Sequence, residues 1–535
     1  MAACPRTAPT LSPPSSGNAS FAMPTRFWPW LAPVGAIFLL QGVRMAWQMP
    51  TWSDESSYLH LGYLAATHQI SLFQDEMMGT RMPLPFYVIG MSQVLWGRDL
   101  LTARMFSLAV GLVALVLVAI IARRVAGNLA GILGALFLAS NGVLVGYFAT
   151  ATYHALAAAI LMLGLAFIVG IQNRSANVVG VAILSVLFLV RTNLWAIPPA
   201  VVVALALQAR SVPYAIILIA TALIVPVTFF TSDIRHLKVL AYVPVIGGWV
   251  RPLGFQSTLE LTAFDAQIRG NWRMAIVRTI RMYETWFAAA AVLCFARLTG
   301  ARSKAPQPAD RSRDATVALL ALFIYVALSQ VVLFANRLPQ FPAYFPSWAP
   351  LAAVLLGVGF ARSLGDPHQA PWRRRLVLGV VVLVVLYPAI VVRHPLLPVP
   401  PVHPAAMVQL RLAARHFEHL IPPGSRVFLW GNSLPLYLAK SYPYLQQIYS
   451  DELLAAVEDT EAIRRNGLWG MRDIERWLST DAGYVVLDPR LLETGQATRG
   501  QQIRLIQSLL EKHFERIGRV DDFQWFPYDV YRRRT

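Results

Sequence analysis

Apolar runs recur along the chain at about 28–48, 101–122, 127–148, 151–171, 176–190, 193–209, 213–231, 283–299, 315–334, 344–362 and 376–392. Runs near or above about 18 residues have the length of bilayer-crossing helices. A further stretch, MPLPFYVIGMSQVLW at 83–97, is short and carries two early prolines. It reads either as a span or as an interfacial helix. Charge placement chooses between these. With a cytoplasmic N-terminus and no crossing at 83–97, Arg123, Arg124, Arg174, Arg210, the RLTGARSKAPQPADRSR loop, Arg362 and Arg373–Arg375 all fall inside. That is the side the positive-inside rule assigns them, and it favours eleven spans with the C-terminus outside.

Beyond about residue 393 the pattern changes. GSRVFLWG and YVVLD read as strands, 405–420, 451–465 and 501–515 as helices, and FQWFPYDVYRRR as a terminal strand or hairpin. The expected fold is therefore a polytopic α-helical membrane protein of about eleven transmembrane helices, with a small C-terminal extracytoplasmic α/β domain. Residues 1–25, rich in Pro, Ser and Ala, are expected to be a disordered cytoplasmic tail. Residues 26–395 form the transmembrane domain, with outer loops at 49–100 and 232–282, and residues 396–535 form the outer domain.

Composition agrees with this division. Hydrophobic residues make up 56% of the 535 positions and charged residues only 14%, against roughly 25% charged in soluble domains. The net charge of +18 sits on short loops, where it fixes orientation and meets anionic headgroups. No basic stripe with interleaved aromatics points to nucleic acid. Cys4 lies in the polar tail and Cys294 in an apolar run, so no disulfide is expected between them.

Candidate chemistry gathers in TWSDESSYLHLGYLAATHQISLFQDEMMGTRMPLPFYVIG, directly after the first span. Asp54 and Glu55 are adjacent acids at the outer edge. A structural reading makes Ser53 or Asp54 a helix N-cap. Asp75 and Glu76 form a second acidic pair on the same loop, followed by Arg81. Arg81, Arg104, Arg191 and Arg337 all fall near the outer boundary. Any one of them can simply snorkel to the interface. Together with the acids, they suit a transfer in which a carboxylate takes the proton of an acceptor hydroxyl while arginine forks neutralise a departing phosphate.

The chain resembles the GT-C glycosyltransferase superfamily, in its branch of protein O-mannosyltransferases and lipid A aminoarabinose transferases. Asp54-Glu55 matches that family's acidic pair after the first span. Arg81-Met82-Pro83 matches its basic residue before prolines, and Ala103-Arg104-Met105-Phe106-Ser107 its entry to the next helix. Arg191-Thr192 resembles a mid-membrane basic element, and Arg337 through Tyr344, Pro346 and Pro350 a late basic-aromatic-proline element. The resemblance runs in order over about 300 residues.

It implies an inverting transfer from a polyprenyl-phosphate sugar with no nucleotide-sugar site. Asp54 would be the general base or acceptor-orienting acid, supported by Glu55. Arg81, Arg191 and Arg337 would hold the carrier phosphate, with Arg104 and Tyr344 also on the substrate side. The implied partners are the donor, membrane lipids and a glycan, lipid or protein acceptor, at the outer face of a bacterial inner membrane.

One departure stands out. Ala151-Thr152-Tyr153-His154 occupies the place where many relatives carry an acid. His154 either hydrogen-bonds substrate or caps a helix, the second being favoured. The missing acid weakens the case for a divalent metal, although Asp54, Glu55, Asp75 and Glu76 remain possible ligands. A transporter of an anionic or lipid-linked substrate is the main rival, with a non-catalytic scaffold of the same fold as a third reading. Charges concentrated at one face, and halves that do not mirror each other, favour interfacial chemistry over transport.

Overall fold

The computed structural model describes residues 27–51, 53–74, 82–171, 173–242, 247–255, 277, 279–298, 311–333, 344–365, 370–390, 405–449, 454–455, 460–490, 496–522 and 527–535. The described chain is mostly helical. Five of its helical stretches are long and apolar enough to cross a membrane: Phe27–Gln48, Leu100–Ser140, His154–Ile171, Thr192–Ala209 and Val212–Ser232. Shorter apolar helices follow at Arg174–Leu189, Glu284–Phe295, Asp314–Gln330 and Ala349–Gly365.

Helix α1 (Phe27–Gln48) leads into α2 (Ser53–Ala66) and α3 (Pro83–Trp96). At 14 residues α3 is about 21 Å long, short of the roughly 30 Å hydrocarbon core. It buries Phe86, Ile89, Ser92 and Gln93 while exposing Met91, Leu95 and Trp96. One face of α3 is thus packed on protein and the other left open, an arrangement common to both readings of 83–97. Helix α2 packs on α3 through paired glycines: a Cβ on Gly90 would stand 1.9 Å from the Gly62 carbonyl oxygen. Only glycine permits this approach of two backbones.

Helix α4 (Leu100–Ser140) is continuous by hydrogen bonding but breaks at Ala126 and Gly127, the latter at φ 84°. Its halves fold back on each other, since a Cβ on Gly131 would meet the Ala119 carbonyl oxygen at 2.6 Å. The reversal falls just after Arg123 and Arg124, between the apolar runs at 101–122 and 127–148. The second run is itself interrupted: the Asn141 side chain accepts from the Leu144 amide at 3.1 Å and starts α5 (Gly142–Phe148). Helices α6 (His154–Ile171), α7 (Arg174–Ser185), α8 (Ile197–Ala209) and α9 (Val212–Ser232) follow. Then come α10 (Glu284–Leu298), α11 (Arg311–Leu333), α12 (Ala349–Gly365) and α13 (Pro371–Ile390). Helix α12 lies against α4, with a Cβ on Gly357 only 2.5 Å from the Gly134 nitrogen.

The C-terminal part opens with α14 (Ala406–Leu420) and builds a five-stranded mixed sheet in the order β2-β1-β3-β5-β4. Strand β1 (Arg426–Trp430) runs parallel to β2 (Tyr442–Pro443) and β3 (Tyr484–Leu487), whereas β5 (Tyr528–Arg533) is antiparallel to both β3 and β4 (Phe514–Val520). The strands read from GSRVFLWG, YVVLD and the C-terminal segment are present. Strand β4 is not foreseen by the sequence pattern, and its register shifts between Arg516 and Gly518.

This α/β part is fastened to the helices around α2. Arg98 donates to the Tyr437 carbonyl oxygen at 2.6 Å, and its guanidinium lies 4.3 Å from the Tyr437 ring centroid and 4.7 Å from that of Tyr63. Arg411 pairs with Asp99. Ser56 donates to the Ile448 carbonyl oxygen at 3.4 Å, and the Asn432 amide to the Thr51 hydroxyl at 3.3 Å.

Candidate active site

The acidic pair opens α2, where carboxylates complement the exposed backbone amides of a helix start. From there the two acids part company. Glu55 is fully buried. Its Oε1 accepts from Arg104 Nε at 2.8 Å and from the Ala151 amide at 2.8 Å, and its Oε2 accepts from Arg104 Nη2 at 2.6 Å. Arg104 is equally buried and donates further to the carbonyl oxygens of Ala46 (2.8 Å), Met49 (2.9 Å) and Pro50 (2.9 Å). A guanidinium has five N–H groups, and all five are used. Arg104, expected among the substrate ligands, therefore has no donor left for a phosphate. Instead it ties the end of α1, the start of α2 and the 149–153 turn to α4.

Asp54 is only half-buried and lies within electrostatic reach of Arg191, Tyr153 and His154. Arg191 sits in an extended break (φ −164°, ψ 141°) between two 3-10 turns, Val186–Leu189 and Thr192–Leu194. That break turns its side chain out of the helix ladder and into a cage of tyrosines. The guanidinium is 4.6 Å from the Tyr153 ring centroid and 5.6 Å from that of Tyr344. Among the described residues its one hydrogen bond runs from Nη1 to the Tyr58 hydroxyl at 3.4 Å. A cation held over aromatic faces keeps its N–H edge available for an anion.

His154 is the first residue of α6, and its Nδ1 shares a hydrogen bond with the Ser347 hydroxyl at 3.1 Å. Its ring lies 4.1 Å from that of Tyr153 and 4.8 Å from that of Tyr147. The imidazole thus bridges the start of α6 to the turn Phe345–Ser347. The Tyr153 hydroxyl is buried and has no hydrogen-bond partner among the described residues.

The structure accordingly brings together Asp54, Arg191, His154 and Tyr344, and sets Glu55 and Arg104 behind them as a support. Asp75, Glu76, Arg81 and Arg337 lie outside the described residues. Tyr58, Tyr153 and Ser347 join the cluster without having been singled out. Tyr58 had a usable signal, because it follows Asp54 by four residues and so shares its helix face. Ser347 had none.

For a divalent metal, the donor set is thin. Both oxygens of Glu55 are engaged by Arg104 and the Ala151 amide. Among the described residues no group of three or more His, Cys, Asp or Glu is placed to hold an ion, whereas hard cations take six or more oxygen ligands.

No family model matches the sequence, and no curated protein does. Solved structures match over nearly the whole chain. ArnT from Cupriavidus metallidurans bound to undecaprenyl phosphate has a TM-score of 0.59 at 15% identity, covering 94% of this chain and 98% of that one. The apo state of the same ArnT gives 0.58 at 14% identity over the same shares. The Archaeoglobus fulgidus oligosaccharyltransferase tethered with an acceptor peptide gives 0.49 at 13% identity, over 92% of this chain and 72% of that one. From the helical frame, the small C-terminal sheet and the end-to-end agreement with ArnT, the chain has the fold of the GT-C glycosyltransferases.

Proposed function

We propose that the chain is an inverting glycosyltransferase that moves a sugar from a polyprenyl-phosphate carrier to an acceptor at the extracytoplasmic membrane face. The reading rests on Arg191, a guanidinium held over the rings of Tyr153 and Tyr344 and bonded to the Tyr58 hydroxyl, within electrostatic reach of the Asp54 carboxylate. The ArnT fold, seen in that protein with undecaprenyl phosphate, supports the carrier class.

In the proposed reaction the acceptor hydroxyl attacks the anomeric carbon as its proton passes to the Asp54 carboxylate. The bond between that carbon and the phosphate oxygen breaks with its electron pair on the oxygen. The phosphate leaves on the opposite side, so the configuration inverts. Arg191 donates to the phosphate oxygens where charge builds up, with Arg81 and Arg337 as further phosphate ligands by family resemblance. His154 and Tyr344 line the substrate side. The Glu55–Arg104 pair fixes the turn of α2 that carries Asp54, a positioning role. Any divalent metal would draw on Asp54, Asp75 and Glu76 before Glu55.

In this reading residues 1–25 lie in the cytoplasm, 26–395 form the transmembrane domain with its outer loops at 49–100 and 232–282, and 396–535 lie outside a bacterial inner membrane. The acceptor class, whether glycan, lipid or protein, is left to experiment. The test is transfer by the purified protein from a panel of defined polyprenyl-phosphate sugars to an envelope extract, with the product anomer read by NMR. Inverted product with at least one donor is the expected result. No transfer from any donor, or retained configuration, overturns the reading.

A further inference from the structure

A cavity of about 390 Å³ lies between α2 and the C-terminal sheet, in the size range of small-molecule sites, about 300–1,000 Å³. Its wall includes His60 from α2, Arg426 from β1, Tyr444 and Gln446 beyond β2, and Arg476 and Trp477 before β3. None of these takes part in the chemistry proposed above.

Two features mark the cavity as built for a ligand. His60 is fully buried, yet neither ring nitrogen has a hydrogen-bond partner among the described residues. Buried polar atoms are nearly always satisfied, and a neutral imidazole offers one donor and one acceptor, the pair a sugar hydroxyl needs. The Tyr444 hydroxyl is likewise buried and without a partner among the described residues. The second feature is a ladder of alternating cations and rings. The Arg426 guanidinium stands 5.6 Å from the Tyr444 centroid, Tyr444 stacks on Trp477 at 4.1 Å and 13°, and Arg476 stands 5.9 Å from the Trp477 centroid. Arg476 is paired with Asp473 at 3.2 Å, and Asp481 also lines the cavity. Arg426 has no ion pair or side-chain hydrogen bond among the described residues. It therefore leaves a planar, positively charged fork at the cavity wall, suited to a carboxylate or phosphate.

The cavity and the candidate active site share helix α2. His60 follows Asp54 by six residues on the same helix, a rise of about 9 Å. We propose that the cavity is a subsite for an anionic sugar, a ring bearing a phosphate or a carboxylate, that forms part of the acceptor. The anion meets Arg426, and the ring hydroxyls meet His60, Gln446 and the Tyr444 hydroxyl. The acceptor assignment rests on the transferase reading; the binding itself does not.

The test uses the full-length protein in detergent, titrated calorimetrically with glucose 1-phosphate, glucuronate, glucose and inorganic phosphate. At least one of the two anionic sugars is expected to saturate, binding about tenfold or more tightly than glucose or phosphate. Whichever of the two binds identifies the anion. Arg426→Ala, an exposed position, and His60→Asn should each weaken that binding by about tenfold. Arg191→Ala should leave it unchanged while weakening polyprenyl phosphate, which separates failure of this subsite from failure of the transferase reading. No saturable binding by either anionic sugar, equal binding of inorganic phosphate, or indifference to Arg426→Ala overturns the proposal.

Discussion

Glu55 and Arg104 form a closed unit: the carboxylate receives two bonds from the guanidinium and one from the Ala151 amide, and the guanidinium spends its other donors on three backbone carbonyls. The unit separates two acids that are neighbours in sequence. One is committed to holding the frame, and the other, half-buried, lies within electrostatic reach of Arg191.

Removing one half of a buried pair strands the other charge, at a cost of about 3–5 kcal/mol. Glu55→Ala and Arg104→Ala are therefore expected to lower the thermal midpoint and yield of the detergent-solubilised protein markedly. An apolar double replacement, Glu55→Leu with Arg104→Met, should recover part of that loss. Differential scanning fluorimetry on the three variants checks this, and a double variant less stable than both singles would contradict it.

Arg191 should behave differently. Arg191 and the neighbouring Asp54 are only half-buried, so Arg191→Ala strands no fully buried charge and should lower the melting temperature less than Arg104→Ala does. Binding of polyprenyl phosphate should weaken by about 1.5–3 kcal/mol, the usual worth of a hydrogen bond to a charged group. Arg191→Lys should lie between, because the ammonium keeps the charge but not the fork. Tyr58→Phe, which removes the hydroxyl that accepts from Arg191 at 3.4 Å, should change binding by about tenfold at most.

The Arg98 cluster offers a test of how the C-terminal part is attached. Its guanidinium is shared among the rings of Tyr63, Tyr437 and Tyr442, and cation–π contacts contribute about 0.5–2 kcal/mol each when desolvated. Arg98→Ala should make the chain between α13 and α14 more susceptible to limited proteolysis. Unaltered cleavage would show that the Arg411–Asp99 pair and the α2 contacts suffice.

A pH dependence follows from His60. Burial, reinforced by the charge of Arg98, lowers its pKa from 6.5 to about 3. Between those values the unfolded chain binds the proton and the folded chain does not, so stability falls as pH falls. The contribution of His60 is fully present above about 6.5 and is lost progressively toward pH 3. Melting curves from about pH 7.5 to about pH 5 should slope accordingly, and His60→Phe should flatten the slope. An equal slope in the variant would assign the acid sensitivity to other groups.

Much of this organisation could be read in advance because it depends on patterns local in sequence. Apolar run length marks the membrane helices, and basic loop residues mark a turn such as Arg123-Arg124. The alternation in RVFLW and YVVL marks two strands. The acid pair is conspicuous for the same reason, as it stands alone in an apolar neighbourhood.

What escaped depends on contacts between distant segments. The partition of duties between Asp54 and Glu55 is decided by Arg104 and the Ala151 amide, 49 and 96 positions from Glu55. His154 meets Ser347 across 193 positions. Strand β4 is hidden because the helix Gln496–His513 passes directly into it and its irregular register blurs the alternation.

In the proposed reaction Asp54 takes the acceptor proton opposite an arginine-held phosphate. That step is tested most directly by turnover of Asp54→Asn beside the wild type, with a donor that the wild type uses. A loss of about 10²–10⁴-fold in kcat is expected, with thermal stability and polyprenyl-phosphate binding retained. Turnover equal to the wild type would contradict it and remove Asp54 from the chemistry.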